Sequence, residues 1–410
     1  MMTTERTAIR RRLSIRRTAR RPPWGGRKSG HGSIVAPLTA TLTATLAVGV
    51  GMALARAERA RRAAAERRVR DRRFALLVDE RVGEGLRRMA LGQLDVAIES
   101  LEGPGLRMSP EERVHEARKA LKRLRALLRL VRDELGERAY ARDSEVVRRA
   151  GKRLAQARDA EVLLSTLDGL IKRQPKKLGS RRGVQRLRAR LQIERDGAAE
   201  LALADSATRA GALDDLRALR VRVAGWQLAD SGGVEAVEPA LQRLYGKGRR
   251  RMRRAKRAGR ARGRKLHEWR KRVKDLRYVA EMLERSDDDG RAWHKRTGGK
   301  PGKRAGKRSS TKATFIGKVA RRADDLGELL GEEHDLAVLA ERVRAEAKAT
   351  RASGAPGPGT RKALLKSIAR RRKRLRKRAL RDGRRLFGRS PKSFVRRIRA
   401  AAALGPVSRR

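Results

Sequence analysis

A twelve-residue phrase that occurs twice constrains the fold of this chain more than any other feature. Residues 114–125 read VHEARKALKRLR and residues 266–277 read LHEWRKRVKDLR, with the same residue at seven positions. The two histidines, His115 and His267, are 152 residues apart. Internal repetition of this kind is typical of a molecule built from similar units. The sequence therefore predicts two halves that share one structural plan.

Each copy of the phrase has an apolar seam at the spacing of an α-helix. Apolar residues recur every three or four positions, so they fall on one helical face, which we expect to be buried. The seam residues are Val114, Ala117, Leu121, Leu124, Leu128, Val131 and Leu135 in the first copy, and Leu266, Trp269, Val273, Leu276, Ala280 and Leu283 in the second.

A basic stripe runs beside each seam, about a quarter-turn away. Its residues are His115, Arg118, Lys122, Arg125 and Arg129 in the first copy and His267, Arg270, Lys274 and Arg277 in the second, with Lys119 and Lys271 at the outer margins. Like charges at this spacing repel one another, so a stripe of one sign favours a surface that holds anions. The competing interpretation is a solvated basic face in an arginine-rich chain, and the repetition of the stripe weakens that interpretation.

A second motif follows each copy and supports the same division. RLAQARDAEVLLSTL at 153–167 parallels LLGEEHDLAVLAERV at 329–343, with Arg158 at the position of His334. The residues around both motifs are rich in Ala, Leu, Arg and Glu and lack alternating β-branched runs, which predicts an all-α fold with roughly four helices in each half. Ser109 and Pro110 predict the start of the first phrase helix. The predicted divisions are a basic leader at 1–81, one half at 82–229, and a second half at 234–402 with a basic insertion at about 286–312.

The charge of the chain indicates the kind of partner. The sequence has 108 Lys and Arg against 46 Asp and Glu, a formal net charge of +62, which favours nucleic acid, an anionic membrane or an inorganic phosphate polymer. The 39% of hydrophobic residues are enough for a core. Cysteine is absent, which excludes a disulfide framework, a thiolate nucleophile and a cysteine zinc site, and fits a cytoplasmic location.

The leader contains one long uncharged run. Residues 34–55, IVAPLTATLTATLAVGVGMALA, are long enough to span a bilayer, but they are rich in Thr, Ala and Gly and include Pro37. Arginines lie on both sides, so positive charge gives no orientation. A membrane anchor here is the minority interpretation. The other is a disordered or helical extension, with Met52 as an alternative start.

The paired motifs resemble those of the CHAD family, the conserved histidine α-helical domain, over about 82–402. The resemblance implies two four-helix bundles related by pseudo-twofold symmetry, with basic residues of both halves around a central cleft that binds inorganic polyphosphate. On that basis we expect no catalysis, no metal and no cofactor. One wall of the cleft would contain His115, Arg118, Lys119, Lys122 and Arg125. The other would contain His267, Arg270, Lys271, Lys274 and Arg277. Arg129 continues the first stripe, and Arg158 and His334 would come from the second motif.

Two other function classes stay open. The first is a nucleic-acid-binding protein that uses the basic stretches 246–265 and 300–312, although aromatic residues for base stacking are only 3% of the chain. The second is an enzyme of phosphate metabolism, although no Walker loop, zinc motif or serine-nucleophile elbow occurs. We interpret Asp159 and Asp335 as structural, since two carboxylates rarely hold Mg²⁺ without help from substrate phosphates.

Overall fold

The computed structural model describes most of the chain from residue 65 onward. The described residues are 58, 65–67, 69–77, 80–103, 108–204, 206–229, 234–259, 262–284, 314–348 and 357–403, without the side chains of 155–158, 199–204, 206–208, 347–348 and 403. The apolar run 34–55 and the insertion 286–312 therefore lie outside the described residues. Residues 65–410 form one compact unit, to which the following description refers.

All regular structure in the described ranges is helical, which confirms the all-α prediction. The helices are α1 Val82–Glu102, α2 Pro110–Leu130, α3 Arg132–Leu135, α4 Glu137–Arg153, α5 Ala155–Arg173, α6 Arg182–Ala204, α7 Ser206–Ala224, α8 Glu238–Arg257, α9 Arg262–Leu283, α10 Phe315–Lys348, α11 Pro358–Leu386 and α12 Pro391–Ala403. A π-helical turn at Pro175–Gly179 and a 3-10 turn at Val234–Val237 connect some of them.

Helix α2, which contains the first phrase, begins where its sequence predicts. The Glu112 backbone N–H donates to the Ser109 hydroxyl at 3.3 Å, and the Ser109 N–H donates to the Glu112 carboxylate at 2.9 Å. This reciprocal capping box satisfies two amides that the first turn leaves unpaired. Pro110 follows as the first helical residue. The start of the helix is therefore fixed by local chemistry.

The end of α2 differs from the predicted seam. The helix stops at Leu130, and the chain turns at Val131 before the four residues of α3 and the positive-φ Gly136. Leu135, the last predicted seam residue, is only half-buried. The other seam residues of both phrases are buried, and Trp269 of α9 is fully enclosed. The apolar faces of α2 and α9 thus belong to the core.

Helices α2 and α9 pack against each other, and so do α5 and α10. At the α2–α9 contact, Arg129 pairs with Asp275 at 2.8 Å and Arg123 pairs with Glu281. Asp275 occupies the phrase position of Arg123, and Glu281 that of Arg129. In each ion pair, a residue at one of these two positions of α2 therefore contacts the residue at the other position of α9, as expected for two helices related by a twofold axis. The symmetry of the complete halves stays a prediction.

Candidate functional site

A central cleft of about 500 Å³ lies where α2, α5, α9 and α10 meet. Its apolar lining includes Val162 and Leu163 of α5 and Val338 of α10, which come from the second repeated motif. The helices that carry the two motifs therefore all contribute to the lining of one cavity. We call this cavity the central cleft.

Most of the predicted site residues line the central cleft. These are Arg118, Lys122, Arg125, Arg129, His267, Arg270, Lys271, Lys274 and His334. They come from α2, α9 and α10, so residues more than 200 positions apart in the sequence share one cavity. Their placement agrees with the geometry that the resemblance implies, whereas their binding roles stay predictions.

Four predicted residues are placed differently. His115 is exposed near the start of α2 and is not among the cleft-lining residues. Lys119 pairs with Glu116 at 3.0 Å, one helical turn earlier. Arg277 pairs with Asp324 at 2.6 Å in a neighbouring pocket. The side chain of Arg158 lies outside the described residues.

The two histidines differ because their helices pack differently. The ring of His267 contacts the ring of His334 of α10 in a tilted arrangement, with 4.2 Å between the ring centres and 38° between the planes, and α9 packs closely along α10. The corresponding contact between α2 and α5 is short. The two histidines therefore have different surroundings, and a place for His115 on the cleft wall stays a prediction.

Backbone and side-chain contacts fix the arginines of α2. The Arg118 guanidinium donates to the Leu154 carbonyl at 2.6 Å and to the Gly151 carbonyl at 3.4 Å, near the end of α4. The Arg129 guanidinium donates to Asp275 and, at 3.2 Å, to the Arg125 carbonyl. Groups held in this way need little ordering when a ligand binds.

On the side of the cleft formed by α9 and α10, the surroundings disfavour the charged forms of several basic residues. Burial, followed by the charges of Arg270 and Lys122, lowers the pKa of Lys274 to about 7. Burial, followed by His267 and Arg270, lowers the pKa of His334 to about 4. Burial also lowers the pKa of Arg270. The largest cause of each shift is burial, which disfavours the charged form, and neighbouring positive charge adds to it for Lys274 and His334.

The charges that line the cleft do not balance. Eight lysine and arginine side chains face three aspartates. One of these, Asp275, already pairs with Arg129 and, at 3.1 Å, with Arg272. The cleft therefore has the electrostatic character of an anion site with excess positive charge.

The interpretation of the sequence missed Arg272 and Tyr278. Arg272 lines the cleft, but its counterpart in the first phrase is Ala120, so the repeat gives no signal for it. Tyr278 lies at the edge of the cleft and is buried against Phe74 at 6.4 Å between ring centres. The locations of both side chains depend on which helices pack against α9. The spacing of apolar residues within α9 alone does not show this.

Asp159 and Asp335 both line the cleft. Among the described residues, no group of three or more His, Asp or Glu side chains is arranged to hold a metal ion. Within the same part of the chain, no helix has the length and apolar character needed to cross a bilayer.

Comparisons with known proteins identify the fold. The family model described as CHAD domain matches residues 91–298, about half of the chain. The crystal structure of the CHAD domain from the plant Ricinus communis has a TM-score of 0.50 and 22% sequence identity to this chain, and the match covers 75% of this chain and 93% of the plant chain. No curated protein sequence matches significantly. The family match, the helical architecture and the repeated motifs that meet at one cleft show together that this chain belongs to the CHAD family.

Proposed function

We propose that this protein binds inorganic polyphosphate in the central cleft and does not hydrolyse it. The observation that carries the proposal is the excess of eight cationic side chains over three carboxylates in one cavity. CHAD domains are associated in general with polyphosphate binding or metabolism, which supports this choice of anion. Arginine forks and lysine point charges are both suited to phosphate oxygens.

Charge reversal inside the cleft should abolish binding. Lys122→Glu with Lys274→Glu reverses one lysine on each side of the cleft and lowers the formal net charge from +62 to +58. We expect polyphosphate affinity to fall at least about thirtyfold at physiological salt, since losing a buried charge partner costs about 2 kcal/mol or more. Titration of labelled polyphosphate measures the loss, and circular dichroism checks that the variant is folded.

A matched control separates the cleft from bulk charge. Lys373→Glu with Lys377→Glu makes the same change of charge at two exposed positions of α11. We expect this variant to bind polyphosphate within about twofold of the natural protein, as surface changes usually have small effects. Equal losses in the two variants would show that total charge, not the cleft, holds the polymer.

Nucleic acid is the second candidate, and the lining of the cleft argues against single strands. Sequence-tolerant binding of single strands uses exposed aromatic rings on which bases stack. In the described lining of the cleft, Tyr278 is the one Phe, Tyr or Trp ring, and it is buried. In competition at physiological salt, we expect polyphosphate to displace duplex and single-stranded DNA. Preferential retention of DNA would favour the nucleic-acid function.

The proposal of binding without chemistry has its own test. Asp159 and Asp335 are the two cleft carboxylates that the second repeated motif supplies, so any catalytic metal would be expected there. We expect no release of orthophosphate with or without Mg²⁺. Release that disappears in Asp159→Ala with Asp335→Ala would replace the binding function by a hydrolytic one.

We further propose a cytoplasmic location at polyphosphate granules, where this ligand would be concentrated. The absence of cysteine supports a reducing compartment. Cell fractionation and imaging of the full chain against a polyphosphate stain would test the location.

A further inference from the structure

We propose that long polyphosphate chains leave the central cleft in one direction, along a second basic groove between α8 and α9. This inference rests on the proposed function and extends it to the length of the ligand. The groove has a volume of about 460 Å³. We call it the α8–α9 groove.

The α8–α9 groove is built from a stripe of basic residues. Lys247, Arg250, Arg251 and Arg254 of α8 occupy one helical face at spacings of three, one and three residues. They extend over roughly 10 Å of helix, at 1.5 Å of rise per residue. The groove therefore offers a polyanion a row of contacts along α8.

The groove adjoins the central cleft. Lys271 and Arg272 of α9 line both cavities. A smaller pocket beside them shares Arg129 with the cleft and Lys247 with the groove. The two cavities therefore share basic side chains, and on this proposal a linear anion in the cleft extends past them into the groove.

The positive charge of the groove is not compensated from within. Glu268 is the one carboxylate in its described lining, and it is already paired with Arg251 at 2.7 Å and near Lys265 at 3.7 Å. Burial, followed by the charges of Arg132 and Arg272, lowers the pKa of Lys247. These cations repel one another, and a polyphosphate segment would relieve that repulsion.

Another pocket beside the cleft has a different balance of charge. The pocket that shares Arg270 and Lys274 with the cleft has four cations and four carboxylates in its lining, and two of the cations, Arg173 and Arg277, already pair with Glu332 and Asp324. The lining of the α8–α9 groove has six cations and the one carboxylate of Glu268. Because the groove has the larger excess of positive charge, it attracts the phosphates of a long chain more strongly than that pocket does.

The test compares short and long ligands on a pair of matched variants. Arg250→Glu with Arg254→Glu reverses two exposed groove residues on α8. Arg253→Glu with Lys256→Glu makes the same change of charge at two exposed positions of the same helix, which lie more than about 100° from the centre of the groove face at 100° per residue. The probes are tripolyphosphate, which the central cleft can hold alone, and long-chain polyphosphate.

We expect the groove variant to bind long-chain polyphosphate at least about tenfold more weakly at physiological salt and to bind tripolyphosphate as the natural protein does. Its log–log salt slope for the long chain should be smaller by about 1.4, since each lost phosphate contact contributes about 0.7 for a single-stranded polyanion. The control variant should match the natural protein with both ligands.

Three results would contradict the extension. Equal losses in the two variants would assign the effect to general surface charge. An equal loss for tripolyphosphate would make the groove part of one compact site. Unchanged binding of the long chain by the groove variant would show that the polymer does not enter the groove. Failure of the natural protein to bind either ligand would instead reject the proposed function itself.

Discussion

At the scale of single residues, Lys274 shows how the ligand-free cleft disfavours a positive charge. It lies among Lys122 of α2, Arg270 and Arg277 of its own helix, and Asp335 of α10. One carboxylate among these neighbours does not offset the burial and the three cations, so the pKa of Lys274 is lowered to about 7. A polyanion would reverse that balance and favour the charged ammonium group.

This shift predicts that binding takes up protons. Below pH 7 the free protein already carries the charge on Lys274. Above pH 7 the amine is neutral, so a bound polyanion that raises its pKa must bring a proton with it. We expect the affinity for polyphosphate to fall as pH rises from about 7 to about 9, and titration calorimetry in buffers of different ionisation enthalpy to report proton uptake above pH 7.

Lys274→Arg separates this group from the histidines of the cleft. Arginine keeps its charge over this pH range, so the part of the pH dependence that comes from position 274 should disappear. An unchanged pH profile in this variant would assign the proton uptake to His267 and His334, whose pKa values are also lowered by burial.

Most residues of the cleft could be predicted from the sequence, because helical spacing shows which side chains share a face. The remaining ones could not, because that spacing does not show which helix the face meets. Helical spacing identifies which side chains share a face, and this was enough for Lys122 and Lys274. It cannot tell which neighbouring helix a face meets. Arg277 is therefore on the predicted stripe but is paired with Asp324 of α10, and Arg272 reaches the cleft although its counterpart in the first phrase is alanine.

At the scale of elements, the seams predicted α2 and α9 well, since apolar periodicity governs burial. The break after Leu130 was not predicted, because the stretch from Pro110 to Leu135 contains no glycine and no later proline to stop the helix. The signal lies just beyond it, at Gly136, whose φ of 75° favours glycine. A helix can thus end six residues before the glycine that marks the break in the sequence.

The contact between α9 and α11 makes a sharper prediction. Gly383 of α11 lies against Trp269, and a Cβ added there would be 2.5 Å from two atoms of the indole ring and 3.2 Å from the sulfur of Met252. The ring is fully buried and cannot move aside. We expect Gly383→Ala to lower the free energy of unfolding by about 1–3 kcal/mol, the usual cost of overpacking. Urea denaturation measures the change.

Gly359, near the start of the same helix, supplies the control. A Cβ at this position would have no atom within 4 Å. Gly359→Ala should be neutral or stabilising by up to about 1 kcal/mol, since alanine favours helix more than glycine does. A destabilisation of equal size at the two positions would mean that the close contact with Trp269 is not the cause.

At the scale of the whole molecule, the leader should be dispensable for the cleft. Residues 65–410 form one compact unit with its own buried core, and the cleft lies within it. We expect a chain without residues 1–51 to unfold at a temperature within about 2 °C of the full chain, because the described core begins at Phe74, and to bind polyphosphate equally. Aggregation or weaker binding of the shortened chain would assign the leader a part in the domain.

The exchanged ion pairs between α2 and α9 have a consequence for assembly. Each helix contributes one sign of charge to the contact: Arg123 and Arg129 from α2, Asp275 and Glu281 from α9. If two copies of α2 met in the same geometry, arginine would face arginine, and two copies of α9 would set carboxylate against carboxylate. Such pairs of like charge, partly removed from water, are strongly unfavourable. The charges of this contact therefore favour pairing of α2 with α9 over pairing of α2 with α2 or of α9 with α9. In a cell that contains many copies of the chain, they direct each α2 to an α9.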